Sequence, residues 1–187
     1  MSALVERYSR PAIWLHWVIA VLIIANLALG IGHDHFGDEN VRPILNTHKS
    51  IGITVLGLAI MRLLWRLTHR PPAFPANYKR WERVSSHIVH GMLYVLIFAL
   101  PITGWMHDSA WKAASEIKMY WFGLFEWPRI GWIMNLDPVT KENLHDVFGE
   151  VHEAMAFFLI GLVLLHIGGA LKHQFFDKER ELQRMWG

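Results

Sequence analysis

Cysteine is absent from this 187-residue chain. Its absence excludes disulfide bonds, thiolate-bound iron–sulfur clusters, cysteine-ligated zinc and covalently attached c-type haem. Any metal cofactor must therefore be held non-covalently, by side chains such as histidine or methionine. The chain has 12 histidines that could do so.

Four long apolar runs contain almost no charged residues. They hold much of the apolar content of the chain, in which 53% of the residues are apolar. Each run reaches or approaches the ~20 residues that cross a bilayer core, and four such runs are improbable in a soluble protein. The first run is longer than the apolar part of a cleavable signal peptide, which favours a retained membrane anchor. We predict a single domain over residues 1–187, with membrane spans at about 12–32, 48–67, 87–107 and 152–173.

Acidic residues are missing from the centres of these spans, and no span is broken at its middle. A transporter that relays protons needs ionisable groups in mid-membrane, and secondary transporters use interrupted helices. The pattern therefore disfavours a proton-coupled transporter.

Basic residues are distributed unevenly over the two sides of the predicted membrane protein. The N-terminal arm, the connection between spans two and three, and the C-terminal tail, counted with the adjoining ends of the spans, hold twelve of the 18 Lys and Arg residues but five of the 16 Asp and Glu residues. Because basic loops stay on the cytoplasmic side, both termini are predicted to be cytoplasmic. The basic residues are explained by this asymmetry, so no nucleic-acid partner is expected. The fold class is an all-α membrane protein, a bundle of four transmembrane helices in contact with lipid.

The external segment between spans three and four is long, and its stretch Ile117–Asn135 is apolar enough to suggest a fifth span. Charged residues and a proline at its middle argue against that, and a fifth span would move the basic tail outside. We predict instead that the stretch lies in the membrane interface, anchored by Trp121, Trp127 and Trp132. The charged stretch Phe175–Trp186 is predicted to form a helix on the cytoplasmic surface.

Two histidines of the last span, His152 and His166, are fourteen residues apart. In an α-helix this spacing separates them by roughly 21 Å along the axis and about 40° around it, so both face the same neighbours. A buried imidazole in lipid is costly unless something binds it. The spacing therefore predicts two metal centres stacked across the membrane.

Two histidines on other spans match these two depths. Span one enters the membrane from the cytoplasmic side, so His16 near its start shares an inner level with His166. Span two enters from outside, so His48 shares an outer level with His152. Ligation of two b-type haems, each by two imidazoles, is the simplest chemistry that uses both pairs. These four histidines are the predicted metal ligands, and no catalytic residue is predicted.

Three glycines are predicted to lie at the haem-binding levels. The same fourteen-residue interval joins His16 to Gly30 and His90 to Gly104, and Gly52 lies on the second span close to the outer level. A glycine at such a position would let a flat macrocycle approach the helix closely. Small residues are also how membrane helices pack against each other, and both interpretations remain open.

Two polar residues are predicted to lie at the inner level. Arg62 is fourteen residues beyond His48 and therefore faces inward, where it would neutralise a haem propionate or extend to the cytoplasmic interface. His90 would bond a propionate or a quinone carbonyl, or replace one of the four ligands.

Several motifs, taken with the histidine spacing, resemble the bacterial cytochrome b561 family over essentially the whole chain. They are HKSIGI at 48–53, MRLLWR at 61–66, HGMLY at 90–94, ALPITGW at 99–105 and the tail ALKHQFFDKERELQRMWG. The resemblance implies a four-helix protein of the bacterial inner membrane that holds two haems b through His16, His48, His152 and His166.

The resemblance also implies electron transfer between a periplasmic donor, not identified by the sequence, and the ubiquinone pool. One branch of the family oxidises periplasmic superoxide. The family is similar to the cytochrome b subunits of respiratory hydrogenases and formate dehydrogenases, so a membrane-anchor subunit with a dehydrogenase partner is an alternative, as is a homodimer. An alternative of another class is a histidine-rich non-haem metalloenzyme, which would need its histidines clustered on one side of the membrane.

Overall fold

The computed structural model describes residues 7–75 and 77–186. Most of them belong to four long helices; the remaining elements are a 3-10 turn, a small hairpin and two helices of four residues each. In chain order the elements are α1 (Arg10–Gly32), the 3-10 turn (His33–His35), α2 (Asp38–Thr68), α3 (Arg80–Ala110), β1 (Tyr120–Trp121), β2 (Phe125–Glu126), α4 (Gly131–Met134), α5 (Pro138–Phe175) and α6 (Glu181–Arg184).

The starts of the long helices follow from local sequence. Asp137 caps α5 by accepting a hydrogen bond from the Thr140 amide at 3.0 Å, and Pro138 occupies a first-turn position where no amide donor is needed. The same hydrogen bond holds the pKa of Asp137 below its usual value. At α3, the Glu82 carboxylate accepts from the Lys79 amide at 2.9 Å. Each cap satisfies a backbone group that the first turn leaves unpaired.

All four long helices are long and apolar enough to cross a membrane. Their outward faces carry exposed apolar side chains such as Leu64, Val95 and Leu165, which a bilayer would cover with lipid. The prediction of a four-helix membrane bundle is confirmed. The helices contain the four predicted spans and run beyond them, because backbone hydrogen bonding continues into the polar ends that hydropathy excludes.

Successive long helices are antiparallel neighbours, and α3 packs on α5. One apolar cluster joins α3 to α5 through Leu96, Leu100, Leu159 and Leu162. A second cluster joins α1 to α2 and is built from Ile19, Ile51 and Val55. The first and last described residues, 7–9 and 184–186, lie at one end of the bundle, here called the terminal end. The opposite end, with the 3-10 turn and the segment 111–137, is the loop end.

A buried carboxylate fixes the segment 111–137 to the bundle. One carboxylate oxygen of Asp108, at the end of α3, accepts a hydrogen bond from Lys49 Nζ at 2.5 Å. The other oxygen accepts a hydrogen bond from Arg129 Nε at 2.9 Å. Arg129 also donates to the carbonyl oxygens of Ala114 and Ile117 at 2.7 and 2.6 Å. The segment is thus folded onto the loop end, and it does not form a fifth spanning helix.

The hairpin of β1 and β2 was not anticipated from the sequence. Its turn requires left-handed backbone at Phe122 (φ 46°) and Gly123 (φ 72°). Ser50 Oγ accepts from the Phe122 amide at 2.9 Å, and Trp121 Nε1 donates to Thr54 Oγ1 at 3.1 Å. The hairpin is therefore held against α2 by hydrogen bonds that are distant in sequence.

The prediction of one helix over Phe175–Trp186 is wrong, because α5 ends at Phe175 and only Glu181–Arg184 is helical beyond it. Lys178 adopts a left-handed conformation (φ 57°), which ends the helical path. The tail then folds back, so that Tyr78 Oη donates to Glu181 at 2.6 Å and Arg184 donates to the Ala73 carbonyl at 2.6 Å. Burial and the bond to the Glu181 carboxylate raise the pKa of Tyr78.

Candidate functional site

Helix α5 brings two histidines against two different helices, at opposite ends of the bundle. The His16 and His166 rings face each other with centroids 6.1 Å apart and planes at 84°; they are called the terminal-end pair. The His48 and His152 rings face each other with centroids 6.0 Å apart and planes at 77°; they are called the loop-end pair. The structure therefore brings together the four predicted ligands in the two predicted combinations.

The ring spacing fits a metal ion held between two imidazoles. A metal–nitrogen bond to imidazole is about 2.0 Å, and the bonded nitrogen is roughly 1 Å from its ring centroid, so two ligands on opposite sides of one ion place their centroids about 6 Å apart. Both pairs meet this requirement. A haem iron with both axial positions filled by histidine is the chemistry that such a donor set suits.

His90 also lies beside the terminal-end pair, but in a different relation to it. Its ring centroid is 5.0 Å from that of His166, about 1 Å closer than two ligands of one metal ion would be. Its Nδ1 donates to the Ser86 carbonyl at 2.7 Å. The geometry favours His16 over His90 as the partner of His166.

Backbone carbonyls of neighbouring helices orient the loop-end pair. His48 Nδ1 lies 3.0 Å from the Asn26 carbonyl oxygen on α1, and His152 Nδ1 lies 3.0 Å from the Leu100 carbonyl oxygen on α3. A carbonyl oxygen can only accept, so Nδ1 carries the proton in both rings. This tautomer leaves Nε2 free to bind a metal.

Each acceptor residue is followed, four positions later in the chain, by a glycine: Gly30 after Asn26 and Gly104 after Leu100. The missing side chain of that glycine makes room for the imidazole. A Cβ atom at Gly30 would lie 2.9 Å from His48 Cε1, and one at Gly104 would lie 3.1 Å from His152 Cε1. These two glycines therefore lie against histidine rings; the sequence left open whether they would face the porphyrin or pack against a neighbouring helix. The nearest atom to a Cβ at Gly52 is Asn26 Nδ2 at 3.8 Å, an ordinary contact that gives Gly52 no such role.

The same arrangement occurs a third time at the loop end. His107 Nδ1 donates to the His145 carbonyl at 2.8 Å, and a Cβ at Gly149, four residues further, would lie 3.0 Å from His107 Cε1. His145 Nδ1 donates in turn to the His107 carbonyl at 3.0 Å, and the two rings stack 3.8 Å apart. Nothing in the sequence indicates this pair, because it depends on how α3 and α5 are rotated against each other.

Arg62 lies at the terminal end, beside the histidines of that level. Its Nε donates to Tyr94 Oη at 3.2 Å and its Nη1 to the Ala12 carbonyl at 3.4 Å. Ala12 is four residues before His16 on α1, so this second bond places the guanidinium about one helical turn from His16. Within the described residues no carboxylate forms an ion pair with Arg62.

Tyr94 was not predicted from the sequence as a site residue, although its spacing from His90 could have indicated it. Tyr94 is four residues beyond His90 and therefore lies on the same face of α3. Its ring is within 5.8 Å of the Arg62 guanidinium carbon and 6.0 Å of that of Arg66. A cavity of about 30 Å³ opens beside these side chains.

One group of three metal-type ligands occurs elsewhere in the described part of the chain, formed by Glu82, His173 and Asp177 at the terminal end. The Lys172 ammonium already bridges the two carboxylates, at 2.6 Å from Glu82 and 2.7 Å from Asp177. Its hydrogen bond holds the pKa of Asp177 below the usual value. The group is thus an ion-pair network, and the four predicted ligands do not gather into one cluster as a non-haem enzyme would need.

The fold is that of a multi-pass membrane protein in which two pairs of imidazoles from different helices face each other, a donor set that suits metal cofactors. A family model described as prokaryotic cytochrome b561 matches residues 7–187. The chain belongs to the prokaryotic cytochrome b561 family. It is accordingly a b-type haem protein of the bacterial inner membrane that takes part in transmembrane electron transfer.

Individual relatives cover nearly the whole chain. Cytochrome b561 homolog 2 of Escherichia coli is 30% identical over 184 residues, which are 97% of this chain and 92% of the relative. Cytochrome b561 homolog 1 of the same organism is 25% identical over 96% of this chain and 97% of its own length. The probable superoxide oxidase CybB of Yersinia pestis is 28% identical over 96% of both chains.

Proposed function

We propose that this chain carries electrons across the inner membrane through two b-type haems, one at each imidazole pair. The observation that carries the proposal is the pair of ring separations, 6.1 and 6.0 Å, at two different depths. His166 and His152 lie on one helix, roughly 21 Å apart along its axis, so the two centres are stacked across the membrane.

The terminal-end pair would hold one haem and the loop-end pair the other. When bound, each haem would supply one-electron redox chemistry. The protein's own contribution would be to exclude water and to orient two imidazoles towards each haem, so that no substrate needs to bind the iron itself. Reaction partners would therefore exchange electrons at a haem edge.

The terminal end faces the cytoplasm in this proposal, because it carries most of the basic residues. We place reaction with ubiquinone at this end, where Arg62 and Tyr94 offer hydrogen-bond donors beside the terminal-end pair. His90 Nδ1 is bonded to its own helix, so its Nε2 is the atom free to exchange a proton with a bound quinone.

The electron donor would react at the periplasmic loop end. Superoxide is the first donor to test, because a relative that covers 96% of this chain is named as a probable superoxide oxidase. A membrane-bound or soluble dehydrogenase is the second candidate, with this chain as its cytochrome b subunit.

The test is a haem count combined with anaerobic reduction. The full-length protein is purified with haem, and haem is measured per polypeptide together with the absorption spectrum of bis-imidazole iron. Two haems are expected, and His152→Ala should remove the loop-end haem alone. Superoxide, a quinol and a partner dehydrogenase are then compared as reductants, with heat-unfolded protein as control. A colourless protein or a single haem per chain would refute the proposal.

A further inference from the structure

The cavity of about 30 Å³ beside Tyr94 is lined by three arginines from successive turns at the end of α2, with Arg70 just beyond the last helical residue. They are Arg62, Arg66 and Arg70, and we call this space the arginine cavity. Tyr8 and Tyr94 also line it, whereas none of the described residues around it is an aspartate or glutamate. The cavity therefore combines positive charge with hydroxyl groups, a lining that suits an anion.

Two of the three guanidinium groups are not neutralised by the protein. Arg66 and Arg70 are exposed, and neither forms an ion pair or a hydrogen bond within residues 7–75 and 77–186. The contact recorded for Arg66 is with the face of the Tyr94 ring, whose centroid lies 6.0 Å from the guanidinium carbon. Both side chains are thus available to a ligand.

Arg62 differs from the other two in its depth. Its Nη1 donates to the Ala12 carbonyl, about one helical turn from His16, so it is the candidate partner of a haem propionate. Arg66 is one turn further towards the terminal end, and Arg70 is eight residues beyond Arg62. A propionate has an arm of two methylene groups, so one that binds Arg62 leaves Arg70 without an anion.

The surroundings of Arg66 and Arg70 are those of a membrane interface. Trp65 lies between α1 and α2, where its ring stacks on His69 at 3.7 Å and its Nε1 donates to Ser9 Oγ at 2.8 Å. Tryptophan is enriched at this depth of a membrane protein.

Apolar side chains continue from the two arginines into the membrane. Leu63 is three residues before Arg66 and Leu67 three before Arg70, so each leucine lies on the same side of α2 as its arginine. The two leucines are 37% and 74% exposed. A polar, cationic cleft is therefore followed by an apolar strip, the order of groups in a phospholipid.

We propose that the arginine cavity binds the phosphate group of an anionic phospholipid between Arg66 and Arg70, with its acyl chains along Leu63 and Leu67. Guanidinium groups bind phosphate oxygens through paired hydrogen bonds, and basic pockets between helices on the cytoplasmic side of a membrane bind lipid head groups. Met185 of the tail closes another side of the cavity, so the bound lipid would join α2 to the tail. The cytoplasmic placement of this end is taken from the proposed function, whereas the number of haems is not needed.

The test is lipid binding to the full-length haem-loaded protein after removal of lipid in a non-ionic detergent. Phosphatidylglycerol, phosphatidylcholine and inorganic phosphate are added separately, and bound lipid is counted by native mass spectrometry while thermal unfolding is followed by haem absorbance. Phosphatidylglycerol should be retained and should raise the melting temperature. Phosphatidylcholine, whose choline is repelled by the guanidinium groups, should bind more weakly, and inorganic phosphate, which has no acyl chains, should give no protection.

The variant Arg66→Gln/Arg70→Gln should weaken phosphatidylglycerol binding by about tenfold, because two charges near the membrane surface are removed. Arg66→Lys/Arg70→Lys keeps the charges and should retain part of the binding. Arg80→Gln/Arg180→Gln is the matched control, since it removes the same charge from exposed positions at the same end that do not line the cavity. It should bind phosphatidylglycerol as the unmodified protein does.

Four results would overturn the lipid site. They are equal binding of the two lipids, an equal loss in the control variant, protection by inorganic phosphate alone, and loss of a haem from Arg66→Gln/Arg70→Gln, which would make these arginines propionate partners. Haem per chain is therefore measured before each titration. A single haem in the unmodified protein would refute the proposed function and leave the lipid site standing.

Discussion

Replacement of Asp108 by asparagine tests whether the buried carboxylate at the loop end holds the external segment on the bundle. Asp108 is 3% exposed and accepts from two cations, of which Arg129 is 9% and Lys49 28% exposed. Asparagine keeps the shape of the side chain but removes its charge. Arg129 then remains buried without an ionic partner.

The size of the destabilisation expected for Asp108→Asn follows from the burial of Asp108 and Arg129. Breaking a buried ion pair by removing one partner costs about 3–5 kcal/mol, because a charge is left uncompensated. Lys49 can turn its ammonium towards water, so most of the loss arises from Arg129, and we expect a destabilisation of about 3 kcal/mol. The carbonyls of Ala114 and Ile117 still bind Arg129, which keeps the value at the lower end of the range.

The assay is thermal unfolding of the haem-loaded protein in detergent, followed by haem absorbance and by protease cleavage within residues 111–137. Glu126→Gln is the matched control, because its ion pair with Lys118 lies on the surface, with side chains 50% and 61% exposed, and should contribute nothing measurable. Equal melting temperatures and equal cleavage for Asp108→Asn and Glu126→Gln would refute the reasoning.

Three further predictions concern the histidines, a glycine and the tail. His90→Ala should retain both haems while His16→Ala loses one, measured as haem per chain; the reverse result would make His90 the ligand. Gly30→Ala should weaken binding of the loop-end haem, since its Cβ would lie 2.9 Å from an imidazole carbon, whereas Gly57→Ala, with nothing within 4 Å, should bind haem normally in the same titration. The pKa of Asp177 is lowered by its lysine hydrogen bond, so its contribution to tail docking is present above the unfolded pKa and is lost as pH falls through the lower folded value. Hydrogen exchange of the tail, compared with an unfolded reference at each pH, should therefore stay constant from neutral pH to about pH 4 and rise below it; a rise already at pH 6 would contradict this.

The sequence by itself determines the number of spanning helices and the relative depths of His16, His48, His152 and His166. Apolar runs of bilayer length predict spans, and an α-helix advances by a fixed distance per residue, so the interval from His152 to His166 already fixes two levels. The partners His48 and His16 follow from the direction in which each span enters the membrane. These properties are local to one helix at a time.

The tertiary structure alone decides which groups meet at a given level. His16 and His90 share the terminal end, and only the ring separations of 6.1 and 5.0 Å from His166 favour His16 as the predicted metal partner. No sequence pattern indicates the carbonyl acceptors of the loop-end pair. Nor does any pattern indicate that Asp108 is buried between two cations. They depend on how each helix is rotated and how closely it approaches the next, which is set by side-chain packing between helices and not by the regular geometry within one.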